Sequence, residues 1–134
     1  MIIIAAVEDN NGMMFNHRRV SQDRVLRERI LERTSTGRLW MNHYSAKQFS
    51  EDAVINIDEN FLSEAIPGEY CFVENTAVRP YNKWIESVIL YKWNRRYPSD
   101  TKFDLDLNGW NLISTVDFPG SSHEKITEEV YTRD

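Results

Sequence analysis

The sequence predicts an α/β fold: a mixed, mostly parallel central sheet with flanking helices and an antiparallel hairpin at the C-terminus. Strand-like and helical segments alternate in the first part of the chain, and strand-like segments dominate after that. This order is typical of a parallel sheet that ends in an antiparallel edge. With 134 residues, the chain is expected to form one domain, residues 1–134, that buries a core without disulfides or metals.

The N-terminal half begins with a strand and a helix. Residues 1–7 are an apolar run rich in isoleucine, which predicts a strand buried on both faces. A turn cluster at residues 8–12 and a loop then lead to Arg19. A helix is predicted over residues 22–33, because that segment contains neither Gly nor Pro. Ser21 is predicted to be its N-cap, since its hydroxyl can accept a backbone N–H. The next predicted elements are a strand at 38–41, a short helix at 45–49 capped by Ser45, and a strand at 53–57.

The C-terminal half is predicted to consist mainly of strands. A helix at 59–66 ends at Pro67 and Gly68, and a strand follows at 69–73. One or two helical turns are expected at 80–85, and strands at 86–93, 109–115 and 124–132. The loop Gly120-Ser121-Ser122 precedes the last strand, which indicates a terminal hairpin.

Composition excludes several classes of protein. The apolar runs are too short to cross a bilayer, and no basic-then-apolar leader opens the chain, so we expect neither a membrane span nor a secretory signal. Cys71 is the single cysteine, which fits a reducing, cytoplasmic location, and we expect it to be a buried small hydrophobe. The three histidines, His17, His43 and His123, lack metal-ligand spacing, so no metal site is expected.

The net charge of −5 is unevenly distributed along the chain. Residues 18–38 hold seven arginines against three acids, a local balance of +4, while the other 9 basic and 18 acidic residues give −9. The basic segment could attract a phosphate, a nucleic acid or an acidic protein. The alternative is a solvated helix face with internal ion pairs such as Arg24–Glu28. The acidic remainder argues against a dedicated nucleic-acid partner.

Two surfaces are candidate contacts for a protein partner. The first is the basic face that carries Arg24, Arg27 and Arg29. The second is the segment 93–97, because Trp, Tyr and Arg dominate the energetics of many interfaces. Its candidate contacts are Trp93, Arg95, Arg96 and Tyr97. In the alternative interpretation, the four tryptophans are mainly core residues; they are Trp40, Trp84, Trp93 and Trp110.

Taken in order, a series of short segments resembles dihydrofolate reductase over nearly the whole chain. The likeness depends on the order and spacing of the segments together. They are Ile4-Ala5-Ala6-Val7, the turn residue Gly12, the early helical carboxylate Asp23, Met41-Asn42-His43-Tyr44-Ser45, Tyr70-Cys71-Phe72-Val73, Ile89-Leu90-Tyr91-Lys92, Asp100-Thr101-x-Phe103, Trp110 and the closing segment 129–133. The resemblance implies a dihydrofolate-reductase-like fold and, in the family, hydride transfer from NADPH to a pterin.

The resemblance also implies a pterin site. Asp23 would hold the pterin edge through two charge-assisted hydrogen bonds and help to protonate the ring. Ala6, Leu26 and Val73 would line the pocket. Lys92 stands where the family has a threonine, so it would either pair with Asp23 or point to solvent. In the family, an arginine in the region of residues 49–53 binds a carboxylate of the folate tail. Here that segment has two acids and no arginine.

The positions that would bind the cofactor are degenerate. The residues that the resemblance assigns to this site are Gly12, His43, Ser45, Glu74 and Asn75. The family's double glycine, which lets the main chain approach the diphosphate, reads Glu74-Asn75 here, so we expect steric and Coulombic interference with NADPH. The family's phosphate-binding arginine is replaced by His43, which is neutral at pH 7 unless perturbed.

Two functional hypotheses follow from the sequence. The favoured one is a dihydrofolate-reductase-like protein that has lost NADPH-dependent catalysis, needs no cofactor and acts as a binding or regulatory protein. Such compact, degenerate copies are what a small viral or mobile-element genome would carry into a host cytoplasm. The alternative is a divergent but active reductase that transfers hydride from NADPH to dihydrofolate or a related pterin, with Asp23 as its catalytic residue.

Overall fold

The computed structural model describes residues 1–51 and 53–133 of the chain; Asp52, one of the two acids in the segment 49–53, lies outside the described residues. The strands are β1 (Ile2–Val7), β2 (Gly12–Phe15), β3 (Arg18–Arg19), β4 (Leu39–Met41), β5 (Asn56–Ile57), β6 (Tyr70–Phe72), β7 (Ser87–Lys92), β8 (Thr101–Lys102), β9 (Asn111–Phe118) and β10 (Ile126–Thr132). The helices are α1 (Arg24–Arg33), α2 (His43–Ala46), α3 (Phe61–Glu64) and a 3-10 helix at Arg79–Trp84.

Seven strands form the central sheet, in the order β5-β4-β6-β1-β7-β10-β9. Strand β1 lies parallel to β6 and β7, and β4 lies parallel to β5 and β6. Strand β10 runs antiparallel to both β7 and β9. The predicted mixed, mostly parallel sheet with an antiparallel C-terminal hairpin is therefore confirmed.

Strand β1 occupies the middle of the sheet and divides the core into two clusters. Ile3 and Ala5 pack into one cluster with Val88 and Leu90, and Ile4 packs on the other face of the sheet. The cluster around Ile4 is covered by α1, whose buried residues are Leu26 and Ile30. The continuous apolar run is thus buried on both faces, because helices or loops cover each side of the sheet.

A second, three-stranded sheet replaces the loop that was predicted before α1. Its order is β3-β2-β8, and all pairs are antiparallel. Asn16 and His17 form the tight turn between β2 and β3, with φ of +51° and +63°. Two consecutive residues with positive φ match the twist of a β-hairpin. This hairpin places Arg19 beside the end of the central sheet, where it becomes part of the candidate site.

Both predicted helix caps are wrong. The N-cap of α1 is Asp23, whose carboxylate accepts the N–H groups of Val25 and Leu26, so the helix begins two residues later than expected. The N-cap of α2 is Asn42, whose side chain accepts the N–H of Ser45. In each case the sequence offers two capping residues close together, and tertiary contacts decide which one is used.

Several predicted elements differ in length from those in the structure. The strand expected at 53–57 is limited to Asn56–Ile57, and Val54 is 91 % exposed. The helix expected at 59–66 is one turn, Phe61–Glu64. Strand β9 ends at Phe118 rather than at residue 115, because Pro119 is the first residue that interrupts pairing with β10.

The tryptophans do not behave as one group. Trp93 is buried, whereas Trp84 is 56 % exposed, so the expectation that all four are mainly core residues is wrong for Trp84. Cys71 is fully buried, and this burial raises the pKa of its thiol to about 12. Among residues 1–51 and 53–133, no helix is long and apolar enough to cross a membrane. In the same ranges, no group of three or more His, Cys, Asp or Glu side chains could hold a metal ion.

Candidate functional site

Glu74, two residues after the end of β6, is buried, and its carboxylate is hydrogen-bonded by side chains from β3 and α2. The Arg19 guanidinium donates from Nε to Oε2 at 2.9 Å and from Nη2 to Oε1 at 3.2 Å. The Ser45 hydroxyl donates to Oε1 at 2.8 Å. The two-point contact between guanidinium and carboxylate is the strong form of an ion pair. The carboxylate therefore lies inside a closed network and does not point into an open groove.

Arg19 is held in this network by α2. Its guanidinium lies over the Tyr44 ring, 4.5 Å from the ring centre, and its Nη2 donates to the Tyr44 carbonyl at 3.3 Å. The Arg19 backbone N–H donates to the Tyr44 hydroxyl at 2.8 Å. These contacts fasten the β2–β3 hairpin to α2 across the end of the sheet.

Asn75 and Asn42 close the space next to Glu74. Asn42 Nδ2 donates to Asn75 Oδ1 at 2.8 Å, and Asn42 Oδ1 accepts the N–H of Ser45 at 3.0 Å. His43 turns outward instead, where its Nδ1 lies 2.9 Å from Glu59 Oε2. Hydrogen bonds from the His43 backbone and ring lower the pKa of the exposed Glu59 carboxyl.

The structure brings together only some of the predicted cofactor residues. Ser45 and Glu74 are in direct contact, and Asn75 joins them through Asn42. Gly12 belongs to a different site, where its N–H donates to the buried Glu8 carboxylate at 2.7 Å. A side chain at Gly12 would collide with Ser99, so glycine is required at this position.

Asp23 is buried, and donors occupy both of its carboxylate oxygens. His123 Nδ1 lies 2.8 Å from Oδ2, and its side chain comes from the loop before β10. The backbone N–H groups that point at the carboxylate, at distances of 2.8 to 3.2 Å, are those of Val25, Leu26, Ser121 and Ser122. Although burial favours the neutral acid, the hydrogen bonds from His123, Ser122 and Ser121 hold the pKa of Asp23 far below its usual range. Asp23 is thus an ionised carboxylate, and both of its oxygens already accept hydrogen bonds from within the protein.

Lys92 does not meet Asp23. The Lys92 ammonium lies 3.2 Å from Glu129 Oε1 on the neighbouring strand β10, so the predicted pairing with Asp23 is wrong. The partner of Asp23 is His123, which stood in the sequence only as an isolated histidine. The Gly120-Ser121-Ser122 run before it was the available signal, since small residues leave backbone N–H groups free to cap a carboxylate.

The three predicted pocket residues lie on opposite faces of the sheet. Leu26 belongs to the cluster under α1, and the half-buried Ala6 packs against that same cluster. Val73 belongs to the cluster on the other face. The structure therefore joins Ala6 and Leu26, and it separates both from Val73.

The basic segment 18–38 is largely neutralised within the molecule. Arg24 pairs with Glu28 at 2.8 Å, as the alternative interpretation expected, and Arg27 pairs with Glu51 at 2.7 Å. Arg29 donates to the buried Glu128 at 2.9 Å. With the pairs made by Arg19, Arg33 and Arg38, six of the seven arginines contact an acid among the described residues.

The second predicted contact surface, 93–97, is only partly exposed. Trp93 is 3 % exposed and stacks on His123, with ring centres 4.4 Å apart, so it is not an exposed anchor. Tyr97 is half-buried, and its hydroxyl lies 3.3 Å from His123 Nε2. Arg95 and Arg96 are exposed.

Sequence reasoning missed two residues of the network, Arg19 and Tyr44. Arg19 was counted with the basic segment, and its role depends on a hairpin that the sequence did not predict. Tyr44 lay inside the segment 41–45 but was not singled out. One signal was present: Glu74 is an acid where the family has glycine, and a buried acid requires a basic partner.

Comparison with known proteins agrees with the architecture. No protein-family model and no curated protein sequence matches the chain. Among solved structures, the chain is similar to the dihydrofolate reductase from Enterococcus faecalis complexed with NADP(H) and RAB-propyl, with a TM-score of 0.70 and 13 % sequence identity. The match covers 100 % of this chain and 96 % of that one. The chain therefore has the dihydrofolate reductase fold, as the sequence resemblance predicted.

Proposed function

We propose that this protein uses the dihydrofolate reductase fold as a binding scaffold and does not transfer hydride from NADPH. The observation that carries the proposal is the network of Glu74 with Arg19 and Ser45. It fills the place that the resemblance assigns to the bare main chain beneath the cofactor's diphosphate.

The energetics of that network oppose an anionic ligand. To reach the main chain at Glu74, a diphosphate would have to displace the Arg19 guanidinium and would leave a buried carboxylate beside its own charge. Removing one partner of a buried ion pair costs on the order of 3 kcal/mol or more, which corresponds to roughly a hundredfold loss in affinity. His43 offers no compensation, because its ring faces Glu59 on the surface.

The substrate side of the proposal depends on Asp23. Holding a pterin requires a carboxylate with two free acceptor sites directed into a pocket. The Asp23 side chain is 0 % exposed, and its two oxygens accept from the start of α1 and from residues 121–123. To bind Asp23, the N–H groups of a pterin would have to displace hydrogen-bond donors of the protein from the carboxylate oxygens.

Strand β9 is the surface that best supports a binding role. It is the last strand of the central sheet, and no described strand pairs with its outer edge. Leu112, Ile113 and Val116 are 50 %, 60 % and 39 % exposed on it, and Asp117 is its single charged residue. Proteins usually protect a long edge strand with charges, prolines or short length, so an eight-residue edge with three exposed aliphatic side chains and one charge is typical of an interface.

The partner that fits this edge is a second copy of the chain. Antiparallel pairing about a two-fold axis at Ser114 would bring Leu112 and Ile113 of one copy close to Val116 and Thr115 of the other, across the register shift of β9 at Ile113. In that register the two Asp117 carboxylates lie at opposite ends of the pairing, so the interface contains no like-charge contact. Arg24, Arg27, Arg29, Arg95 and Arg96 stay predictions as further contacts, as do a cytoplasmic location and a viral or mobile-element source.

Assays for the two activities test the first part of the proposal. NADPH binding is followed by fluorescence, and dihydrofolate turnover by the loss of NADPH absorbance. We expect neither with the unmodified protein. Glu74→Gln, which removes the charge and keeps the bulk, is the matched control for the double variant Glu74→Gly/Asn75→Gly. The double variant should gain weak binding at most, because no arginine replaces His43. Micromolar binding together with turnover by the unmodified protein would establish the alternative, an active NADPH-dependent reductase.

Sedimentation velocity tests the second part. We expect a concentration-dependent dimer that Ile113→Lys dissociates. Ile66→Lys is the control, because Ile66 has the same exposure, 60 %, and lies outside β9. A protein that stays monomeric at high concentration, or a dimer that Ile113→Lys leaves intact, would remove β9 as the interface.

A further inference from the structure

Ser21, His123 and Asp23 form a continuous hydrogen-bonded chain beside the start of α1. Ser21 Oγ lies 2.9 Å from His123 Nε2, and His123 Nδ1 lies 2.8 Å from Asp23 Oδ2. Hydroxyl, imidazole and carboxylate in this order are the arrangement that activates a serine nucleophile. We propose that Ser21 is such a nucleophile and accepts the acyl group of small activated esters. This activity lies outside the proposed binding function and does not depend on it.

The direction of the hydrogen bonds follows from the ionised Asp23. A carboxylate only accepts, so His123 must donate to it from Nδ1–H. In the neutral imidazole Nε2 is then the acceptor, and the Ser21 hydroxyl donates a hydrogen bond to it. This is the tautomer that general-base catalysis by His123 requires.

The base and the acid are buried and held firmly, whereas the nucleophile lies closer to the surface. The side chains of His123 and Asp23 are 2 % and 0 % exposed, and Trp93 stacks on the imidazole with an angle of 28° between the rings. Ser21 is half-buried, and the proposal requires that a small reagent reach its Oγ from the surface. Tyr97, whose hydroxyl also reaches His123 Nε2, lines a surface groove of about 470 Å³ with Asn10, Arg96, Pro98, Ser99 and Lys102.

The reaction needs only these residues and the ester. Ser21 Oγ attacks the carbonyl carbon, and its proton passes to His123 Nε2 as the new C–O bond forms. The imidazolium, stabilised by Asp23, then protonates the leaving alkoxide or phenoxide as the original C–O bond breaks. The products are an acyl ester on Ser21 and the free alcohol or phenol, with His123 neutral again.

Covalent labelling tests the proposal on the intact, folded protein. The protein is treated with a fluorophosphonate reagent and with 4-nitrophenyl acetate, and the modified residue is identified by peptide mass spectrometry. We expect a single adduct on Ser21, formed at least about 100-fold faster than in the same chain denatured in urea, which is the lower range for general-base assistance. The denatured chain gives the reference labelling rate of the same sequence without its folded structure, so this comparison needs no substitution.

Two variants assign the mechanism. His123→Gln should lose most of the labelling rate, and Ser35→Ala should keep it, because Ser35 is an exposed serine just after the C-terminal end of α1, at the opposite end of the helix from Ser21. Circular dichroism checks that each variant is folded. No adduct on Ser21 in the folded unmodified protein, or a rate no faster than in the denatured chain, would overturn the proposal. An unchanged rate in folded His123→Gln would also overturn it.

Discussion

Two buried carboxylates, Glu74 and Asp23, are satisfied in different ways. Glu74 depends on one cation, Arg19, delivered by a hairpin that lies far from it in the sequence. Asp23 is satisfied by backbone N–H groups and His123, from the start of α1 and the loop before β10. Changing Arg19 alone therefore removes the cation that pairs with Glu74. Asp23 instead joins the start of α1 to the loop before β10, so we expect its loss to destabilise the fold.

The largest expected effect is at Asp23. Asp23→Asn replaces one acceptor oxygen with an NH₂ group that faces donors, and we expect it to lower the free energy of unfolding by about 3 kcal/mol. Urea denaturation measures the change. Asp106→Asn is the control, because Asp106 is exposed and accepts one backbone N–H, from Asn108. A loss at Asp23 no larger than at Asp106 would contradict the capping role.

The second effect is at Arg19. Arg19→Met leaves the Glu74 carboxylate with the Ser45 hydroxyl but without a cation, and since Arg19 is 19 % exposed we expect a loss of about 2 kcal/mol. The double variant Arg19→Met/Glu74→Met should be more stable than Arg19→Met alone, because it removes the unpaired charge. Simple additivity of the two single changes would show that the pair is not coupled.

A smaller effect is the pH dependence of the contribution that Asp23 makes to stability. The pKa of Asp23 is 3.8 in its ordinary environment and lower in the folded protein. Its contribution to stability is therefore complete above about pH 5, begins to fall near pH 3.8 and disappears as the pH passes the folded pKa. The stability difference between the unmodified protein and Asp23→Asn should shrink over that window. A difference that is constant down to pH 2 would contradict the depressed pKa.

The sequence predicted the sheet better than it predicted the site, for a physical reason. Strand β1 is a contiguous apolar run, and the late strands follow one another directly, so local patterns were sufficient. The cap of α1 was misassigned because Ser21 and Asp23 are both good capping residues, and the choice depends on residues 121–123. Glu74 was recognised as an obstacle, but its partner Arg19 comes from a hairpin whose turn residues, Asn16 and His17, have no glycine to signal it.

We propose that the Arg19–Glu74 ion pair stays formed in solution and closes the position that the resemblance assigns to the cofactor's diphosphate. The Arg19 Nε–H reports this directly, because it donates to Glu74 Oε2 and gives its own signal in a ¹H–¹⁵N correlation spectrum. Arg19→Lys assigns the signal by removing it. On titration with NADPH, we expect the Arg19 signal neither to shift nor to broaden. A saturable shift with micromolar affinity would instead show that the diphosphate displaces the ion pair, so the pair would not keep NADPH out.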